Sequence, residues 1–332
     1  MTKSEPLLDV RDLVVEFRTP DVTLRALDGI NFSIARGEIL GVVGESGAGK
    51  SLTGLAISRL IQPPGRIVAG EVRLNGERID ALPDRAMRRV RGKRIAMVFQ
   101  DPLTSLDPLF PVGDQITETI RAHLDVTRTE ARARAIALLE EVGIPSPAAR
   151  IDAYPHEFSG GMRQRVVIAL ALCAEPELII ADEPTTALDV AVQAQILDLL
   201  ARLCRDRGMA MMLVTHDMGV ISEITQRVAV MYAGRIVELG DTAEITARAR
   251  HPYAAGLMGA IPTLEARTEP LLQIPGSMPR LTAIPEGCAF HPRCTRAFGP
   301  CDGVRPALRV LADGHAVACH LHDPSHHKEA RP

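Results

Sequence analysis

The stretch GESGAGKS, residues 44–51, sets three glycines, a lysine and a serine at the G-x-x-x-x-G-K-S spacing. Glycines without a Cβ let successive backbone N–H groups converge on phosphate oxygens, and a helix starting just after them adds positive potential. In that frame Gly44, Glu45, Ser46, Gly47, Ala48 and Gly49 wrap the phosphates. Lys50 reaches the β- and γ-phosphates, and the Ser51 hydroxyl is placed for Mg²⁺. A plain glycine-rich turn is the competing reading. It loses weight because the chain has only four lysines, Lys3, Lys50, Lys93 and Lys328, so a chance match is rare.

LIIADEP, residues 178–184, supplies acids at the end of an apolar strand, where α/β sheets place their ligands. Asp182 suits Mg²⁺, and Glu183 suits the general base that takes a proton from an attacking water. Gln100, in FQDP, leaves another strand as a further ligand for Mg²⁺ and that water, and His216, in VTHD, ends the next as a group for the γ-phosphate. FSGGMRQR, residues 158–165, places Ser159, Gly160, Gly161 and Met162 at the start of a second helix, a second N-terminus suited to anions. A guanine-reading N-K-x-D is absent, since neither Asn31 nor Asn75 begins one.

These groups need a scaffold of strands ending in loops. Residues 7–43 read as strands, rich in β-branched residues and punctuated by glycine. A helix follows Gly49 to about Leu60, stopped by QPPG; RIAMVFQ (94–100), LIIA (178–181) and MMLVT (211–215) read as buried strands. Residues 112–174 are helical in pattern. One helix there carries a Thr127/Glu130 capping box, the stripe Ala135, Leu138, Leu139, Val142, and Gly143 as terminator. Another shows Val192, Ile196, Leu199, Leu200 and Leu203 on one face, and RVAVMYAGRIVELG (227–240) reads as a hairpin turning at Ala233-Gly234. Alternating short apolar strands and helices predict an α/β core with a largely parallel sheet. The 332 residues, 46% hydrophobic and 24% charged with net charge −3, fit a soluble globular protein without the basic excess of nucleic-acid binders. The N-terminus has no signal-peptide pattern, and the longest apolar run, residues 166–174, is nine residues, too short to span a bilayer.

The order of these motifs, phosphate loop, Gln100, the Ser159 signature, Asp182-Glu183, Ala187-Leu188-Asp189 and His216, resembles the ATP-binding subunits of ABC transporters over residues 7 to about 240. The resemblance implies a P-loop cassette over residues 6–250, with a RecA-like core, an N-terminal antiparallel β-subdomain and a helical subdomain over about 101–174. It further implies a head-to-tail dimer, in which the phosphate loop of one subunit faces Ser159, Gly160, Gly161 and Met162 of the other across two ATPs. Asp189 then lies in the dimer-interface loop, and Phe17 matches the aromatic that stacks on adenine, although a core role suits it as well. The signature departs from L-S-G-G-Q at Phe158 and Met162 and keeps its serine and glycines. DPLTSLDPLFPV (101–112) falls where a membrane subunit docks.

HPYAAGLMGAIP (251–262) and IPGSMPRLTAIPEGCAFHPRC (274–294) resemble the C-terminal extension of oligopeptide and dipeptide importer ATPases, giving an extension over residues 251–332. The implied function is ATP hydrolysis that energises peptide uptake from the cytoplasmic face of the membrane. The implied partners are a second ATPase, in a heterodimer or else a homodimer, two integral permease subunits and, indirectly, an extracytoplasmic solute-binding protein. Import of nickel or another small solute is the nearer alternative, and a soluble ABC ATPase acting on nucleic acid or ribosomes the remoter one. Cys288, Cys294, Cys301 and Cys319 are spaced C-x5-C-x6-C-x17-C in this proline- and histidine-rich tail, and four thiolates suit zinc or an iron–sulfur cluster. The family's extension can carry a [4Fe–4S] cluster, which is preferred to zinc, with unligated thiols third. His291, His315 and His320 are near enough in sequence to compete as ligands, although histidine in so polar a tail is more often solvated. On its own texture the tail reads as a separate, irregular segment in need of a staple. Cys173 and Cys204 read as small core residues.

Overall fold

A computed structural model describes residues 5–186, 188–259 and 274–326. The described residues pack as two compact units, one formed by those up to Leu8, in Ile34–Ile39 and in Arg73–Val214, the other by those in Asp9–Ser33, in Leu40–Val72 and from Thr215 onward.

In the first unit, strands Ile95–Val98, Leu178–Asp182 and Ala210–Val214 run parallel, with Ile95 opposite Leu178 and Leu178 opposite Ala210. The second and third of these strands are buried along their whole length. This is why they read as continuous apolar runs rather than as alternating patterns. Helices Val112–His123, Arg128–Glu141, Gly160–Leu172 and Val190–Arg207 are the long helices of the unit. The capping box is present: Thr127 N–H donates to Glu130 Oε2 at 2.8 Å, and Glu130 N–H to Thr127 Oγ1 at 3.3 Å. Gly143, at φ 79°, ends that helix in the left-handed conformation that favours glycine. In the last helix Ile196, Leu199, Leu200 and Leu203 are buried as their spacing predicts.

In the second unit, strands are hydrogen-bonded in the order Thr23–Ile34, Leu8–Arg18, Gly65–Leu74. Strand Ile39–Val43 pairs in parallel with Arg227–Tyr232, Leu40 opposite Arg227. Arg227–Tyr232 turns back into Arg235–Asp241 through Ala233 and Gly234, at φ 46° and 77°. Two positive φ values make the type I′ turn whose twist suits a two-residue hairpin.

The C-terminal segment is not set apart. Strand Ala316–Val317 extends the hairpin antiparallel, with Glu238 opposite Val317 and Leu239 opposite Ala316, and Arg309–Val310 pairs beyond it. Tyr232 packs edge-on against Tyr253 and Phe290, with ring centroids 4.6 and 5.3 Å away. Glu238, fully buried, accepts from the Arg250 and His251 N–H groups at 2.7 and 2.8 Å and lies 2.7 Å from His315 Nε2. Strand pairing and a shared buried carboxylate thus do the stapling that the tail's irregular texture demands.

His251 is buried in this network, and its Nδ1 accepts from the Tyr253 N–H at 3.1 Å. Desolvation pushes its pKa down to about 4, against an opposing pull from Glu238. As pH falls, the unfolded chain binds that proton first. The stability is therefore complete above about pH 6.5 and drains away toward pH 4, by about 3 kcal/mol at about 1.4 kcal/mol per unit. His251→Asn keeps an acceptor that does not titrate in this range. Urea midpoints at pH 7.5, 5.5 and 4.5 should fall less steeply for this variant than for the parent chain; parallel slopes would remove His251 as the cause.

Candidate active site

The glycine-rich loop of residues 44–51, expected to take the phosphates, is built within the second unit. Strand Ile39–Val43 is wholly buried and ends at Gly44, at φ 152°, where a Cβ would lie 2.3 Å from the Met231 carbonyl oxygen. Gly49, at φ 103°, starts helix Lys50–Ile57, and a Cβ there would lie 2.8 Å from Leu27. Only glycine suits either position. Lys50 is 6% exposed, and its Nζ donates to the carbonyls of Gly44 and Glu45 at 2.8 and 3.1 Å. The hairpin supports the loop from the other side: Gly234 N–H donates to the Ala48 carbonyl at 2.9 Å. Ser51 follows Lys50 in the first turn of the helix. Phe17 is half-buried on strand Leu8–Arg18 and packs near Gly65, where a Cβ would come within 2.6 Å of its ring.

Three residues that local sequence does not advertise complete the loop. Glu45 N–H donates to the Tyr253 hydroxyl at 2.8 Å, and the Glu45 carboxylate takes both terminal nitrogens of Arg293 at 2.7 and 2.8 Å. The Tyr232 hydroxyl accepts from Arg293 Nη1 at 3.3 Å. These partners stand about two hundred residues or more along the chain, so no motif spacing connects them. His216 is exposed, held between Thr215, whose N–H donates to the Val42 carbonyl at 3.3 Å, and Asp217, which caps helix Met218–Ile224.

The acid cluster belongs to the first unit. Asp182 is buried at the end of its strand. Glu183 takes φ 46°, a left-handed conformation uncommon outside glycine, and its N–H donates to the Val214 carbonyl at 2.9 Å. Its Oε2 accepts from Gln100 Nε2 at 3.1 Å and from Thr186 Oγ1 at 2.9 Å. Gln100 and Glu183, singled out separately in the sequence, are therefore brought together, and Thr186 is an addition. Strained backbone of this kind clusters at functional sites.

Ser159 caps helix Gly160–Leu172, its Oγ accepting from the Met162 N–H at 3.4 Å. Gly161 lies so close to the next helix that a Cβ would fall 2.6 Å from Val192. Asp189 is exposed and caps helix Val190–Arg207 through the Val192 N–H at 3.0 Å. Ala187, in the same loop, lies outside the described residues, as do residues 260–262 at the end of HPYAAGLMGAIP.

The cysteine-rich tail departs from expectation. All six cysteines are free thiols. Cys288 and Cys301 are joined through the backbone, Cys288 N–H to Cys301 carbonyl, at 2.8 Å. Among the described residues no group of three or more His, Cys, Asp or Glu side chains is disposed to hold a metal ion. Neither the [4Fe–4S] cluster nor the zinc alternative is supported. The histidines have other partners: His291 Nδ1 the Cys288 carbonyl, His315 Nε2 Glu238, and His320 Nε2 the Val304 carbonyl. Burial pushes the Cys288 thiol up to about 11 and the Cys319 thiol up to about 12, and the neighbouring cysteines add to the rise. Cys173 and Cys204 are buried on or at the ends of helices, as small core residues are.

Comparison with known proteins places these elements in context. Residues 27–186 match the family model described as ABC transporter, and residues 237–301 match that of the oligopeptide/dipeptide transporter C-terminal region. The chain is 46% identical over 314 residues to the dipeptide transport ATP-binding protein DppD of Escherichia coli, covering 95% of this chain and 96% of that one. It is 47% identical over 334 residues to the oligopeptide transport ATP-binding protein OppD of Bacillus subtilis, covering 100% and 93%. Among solved structures, the post-hydrolysis dimer of the ATP-binding cassette MJ0796 bound to ADP and phosphate superposes with TM-score 0.64 at 27% identity, covering 71% of this chain and 98% of that chain.

The raised thiol values are directly measurable. Alkylation of Cys288 and Cys319 in the folded protein should be slow at pH 8 and accelerate about tenfold per pH unit through pH 10. A rate that levels near pH 9, followed by peptide mapping, would mark ordinary thiols.

Proposed function

The chain belongs to the ATP-binding subunits of ABC transporters, in the oligopeptide and dipeptide branch, and on that footing we propose that it hydrolyses ATP to energise peptide uptake through membrane partner subunits. The observation that carries the hydrolytic reading is the Glu183 carboxylate, fixed by Gln100 at 3.1 Å and Thr186 at 2.9 Å immediately after the buried Asp182. A carboxylate with two hydrogen-bond donors on one oxygen keeps a defined direction for accepting a proton from water.

In this reading the loop of residues 44–51 takes the phosphates, its glycines turning backbone N–H groups outward and Lys50 leaving the Gly44 and Glu45 carbonyls for phosphate oxygens. Phe17 stacks on the adenine. Ser51, Asp182 and Gln100 offer hydroxyl, carboxylate and amide oxygens, the hard donors that magnesium prefers. Magnesium, when bound, neutralises charge on the β- and γ-phosphates. Gln100 orients the attacking water, Glu183 takes its proton, and His216 meets the γ-phosphate. Ser159, Gly160, Gly161 and Met162, at a capped helix start, serve the nucleotide held by a second ATPase subunit, with Asp189 in the dimer-interface loop. The cassette covers residues 6–250 and the extension 251–332.

No helix among the described residues is long and apolar enough to cross a membrane. We assign the chain to the cytoplasmic face, beside two integral permease subunits that receive solute from a binding protein, with a second, different ATPase as its dimer partner. Support for permease docking comes from the first unit. Leu109 and Phe110 are 77% and 55% exposed, and the groove that Leu109 helps to line is mixed, with Ala149, Ala153 and Tyr154 beside Asp152, His156 and Glu157.

Glu183→Gln keeps the hydrogen bonds but cannot take a proton, so kcat should fall at least 10²-fold with ATP affinity unchanged. Turnover within threefold of the parent chain would exclude Glu183 as base. Leu109→Glu should leave ATP binding by the isolated chain unchanged and reduce co-purification with the permease subunits severalfold; undiminished recovery would move the docking site elsewhere.

A further inference from the structure

Glu45 stands inside the phosphate loop, one residue beyond Gly44. A carboxylate there has the same sign as the triphosphate the loop takes, and like charges at short range oppose binding. The opposite charge comes from the far end of the chain. Arg293 Nη1 and Nη2 donate to the two Glu45 oxygens at 2.7 and 2.8 Å, a bidentate fork whose arginine side chain is only 7% exposed. The fork is itself fixed. Arg293 Nε donates to the Pro275 carbonyl at 2.7 Å, and the guanidinium lies 5.8 Å from the ring centroids of Tyr232 and Phe290. On the main-chain side of the same residue, the Glu45 N–H donates to the Tyr253 hydroxyl at 2.8 Å. Its carbonyl accepts from Lys50 Nζ at 3.1 Å. Side chain, N–H and carbonyl of one loop residue are all engaged, two of the three by the C-terminal segment.

We propose that Arg293 is a positioning residue for the nucleotide: by cancelling and anchoring Glu45 it lets the C-terminal segment set the loop's affinity for ATP. This rests on the assignment of residues 44–51 to the phosphates. Arg293 acts through Glu45, and Glu45 through the loop backbone that also carries Lys50. Loss of the arginine leaves a half-buried carboxylate uncompensated beside the incoming phosphates and frees the loop to swing. Both effects weaken ground-state binding, while Glu183 and Gln100 are untouched.

The test is equilibrium binding of a fluorescent ATP analogue to the full-length chain, with kcat and KM for hydrolysis alongside. Arg293→Gln should weaken binding and raise KM about tenfold, with kcat at saturating ATP within twofold. Adding Glu45→Gln to that variant should regain about threefold of the tenfold loss, because the offending charge is gone while the anchor is still missing. Arg293→Lys, which keeps the charge and loses the fork, should bind within threefold of the parent; it also serves where the glutamine variant folds poorly. Unchanged affinity in Arg293→Gln, no recovery in the double variant, or a lysine variant as weak as the glutamine one would each overturn the proposal. A parent chain that binds no ATP would instead remove the phosphate assignment beneath it.

Discussion

A tight, glycine-rich loop folded into a buried surround must find partners for its own backbone groups. That constraint organises the second unit. The Gly44 and Glu45 carbonyls are met by Lys50, and the Ala48 carbonyl by the Gly234 N–H. Gly234 can approach because it has no Cβ; one there would sit 2.3 Å from the Ala26 carbonyl oxygen. The strand before the loop, the hairpin beside it and strand Thr23–Ile34 are thus fixed relative to one another by backbone groups. Side chains are left to choose the chemistry.

Local constraints are what sequence displays best. Gly44 and Gly49 stand where φ and close packing forbid a Cβ, so the motif's spacing carried the geometry directly. The strands Leu178–Asp182 and Ala210–Val214 were readable because burial on both faces leaves unbroken apolar runs. The hairpin turn was readable from Gly234 between two apolar runs, whereas its type was not, since Ala233 at φ 46° is a residue type that rarely takes positive φ. Thr186 and Asp217 escaped notice for the opposite reason. A threonine three residues past an acid and an aspartate after a histidine are common loop chemistry, and only the folded turn directs them at Glu183 and at the helix start beside His216.

Long-range contacts were unreadable, and the way the tail is held lay among them. Four cysteines in a tail with no periodic apolar pattern suggested that ligation must replace a missing core. The tail instead borrows a core. Phe290 and Tyr253 pack on Tyr232, and the Ala316–Val317 strand joins an existing hairpin. Neither interaction has a sequence signature, because each depends on a partner more than ten residues away whose own type is unremarkable.

The same borrowing runs in the other direction, from the tail to the earlier chain. Three acids of the earlier chain take partners from it: Glu45 from Arg293, Glu238 from His315 and the Arg250 and His251 backbone, and Asp28 from Arg305 at 2.8 Å. Asp28 also pairs with Arg25 and Arg235, so Arg305 there adds to an existing set. Glu238 has no exposed surface, and a buried carboxylate stripped of donors costs several kcal/mol. An acid so placed is tolerable only when its donors arrive with every folding event. The loop of residues 44–51 and the hairpin beside it therefore take hydrogen-bond partners from residues that lie outside every nucleotide motif.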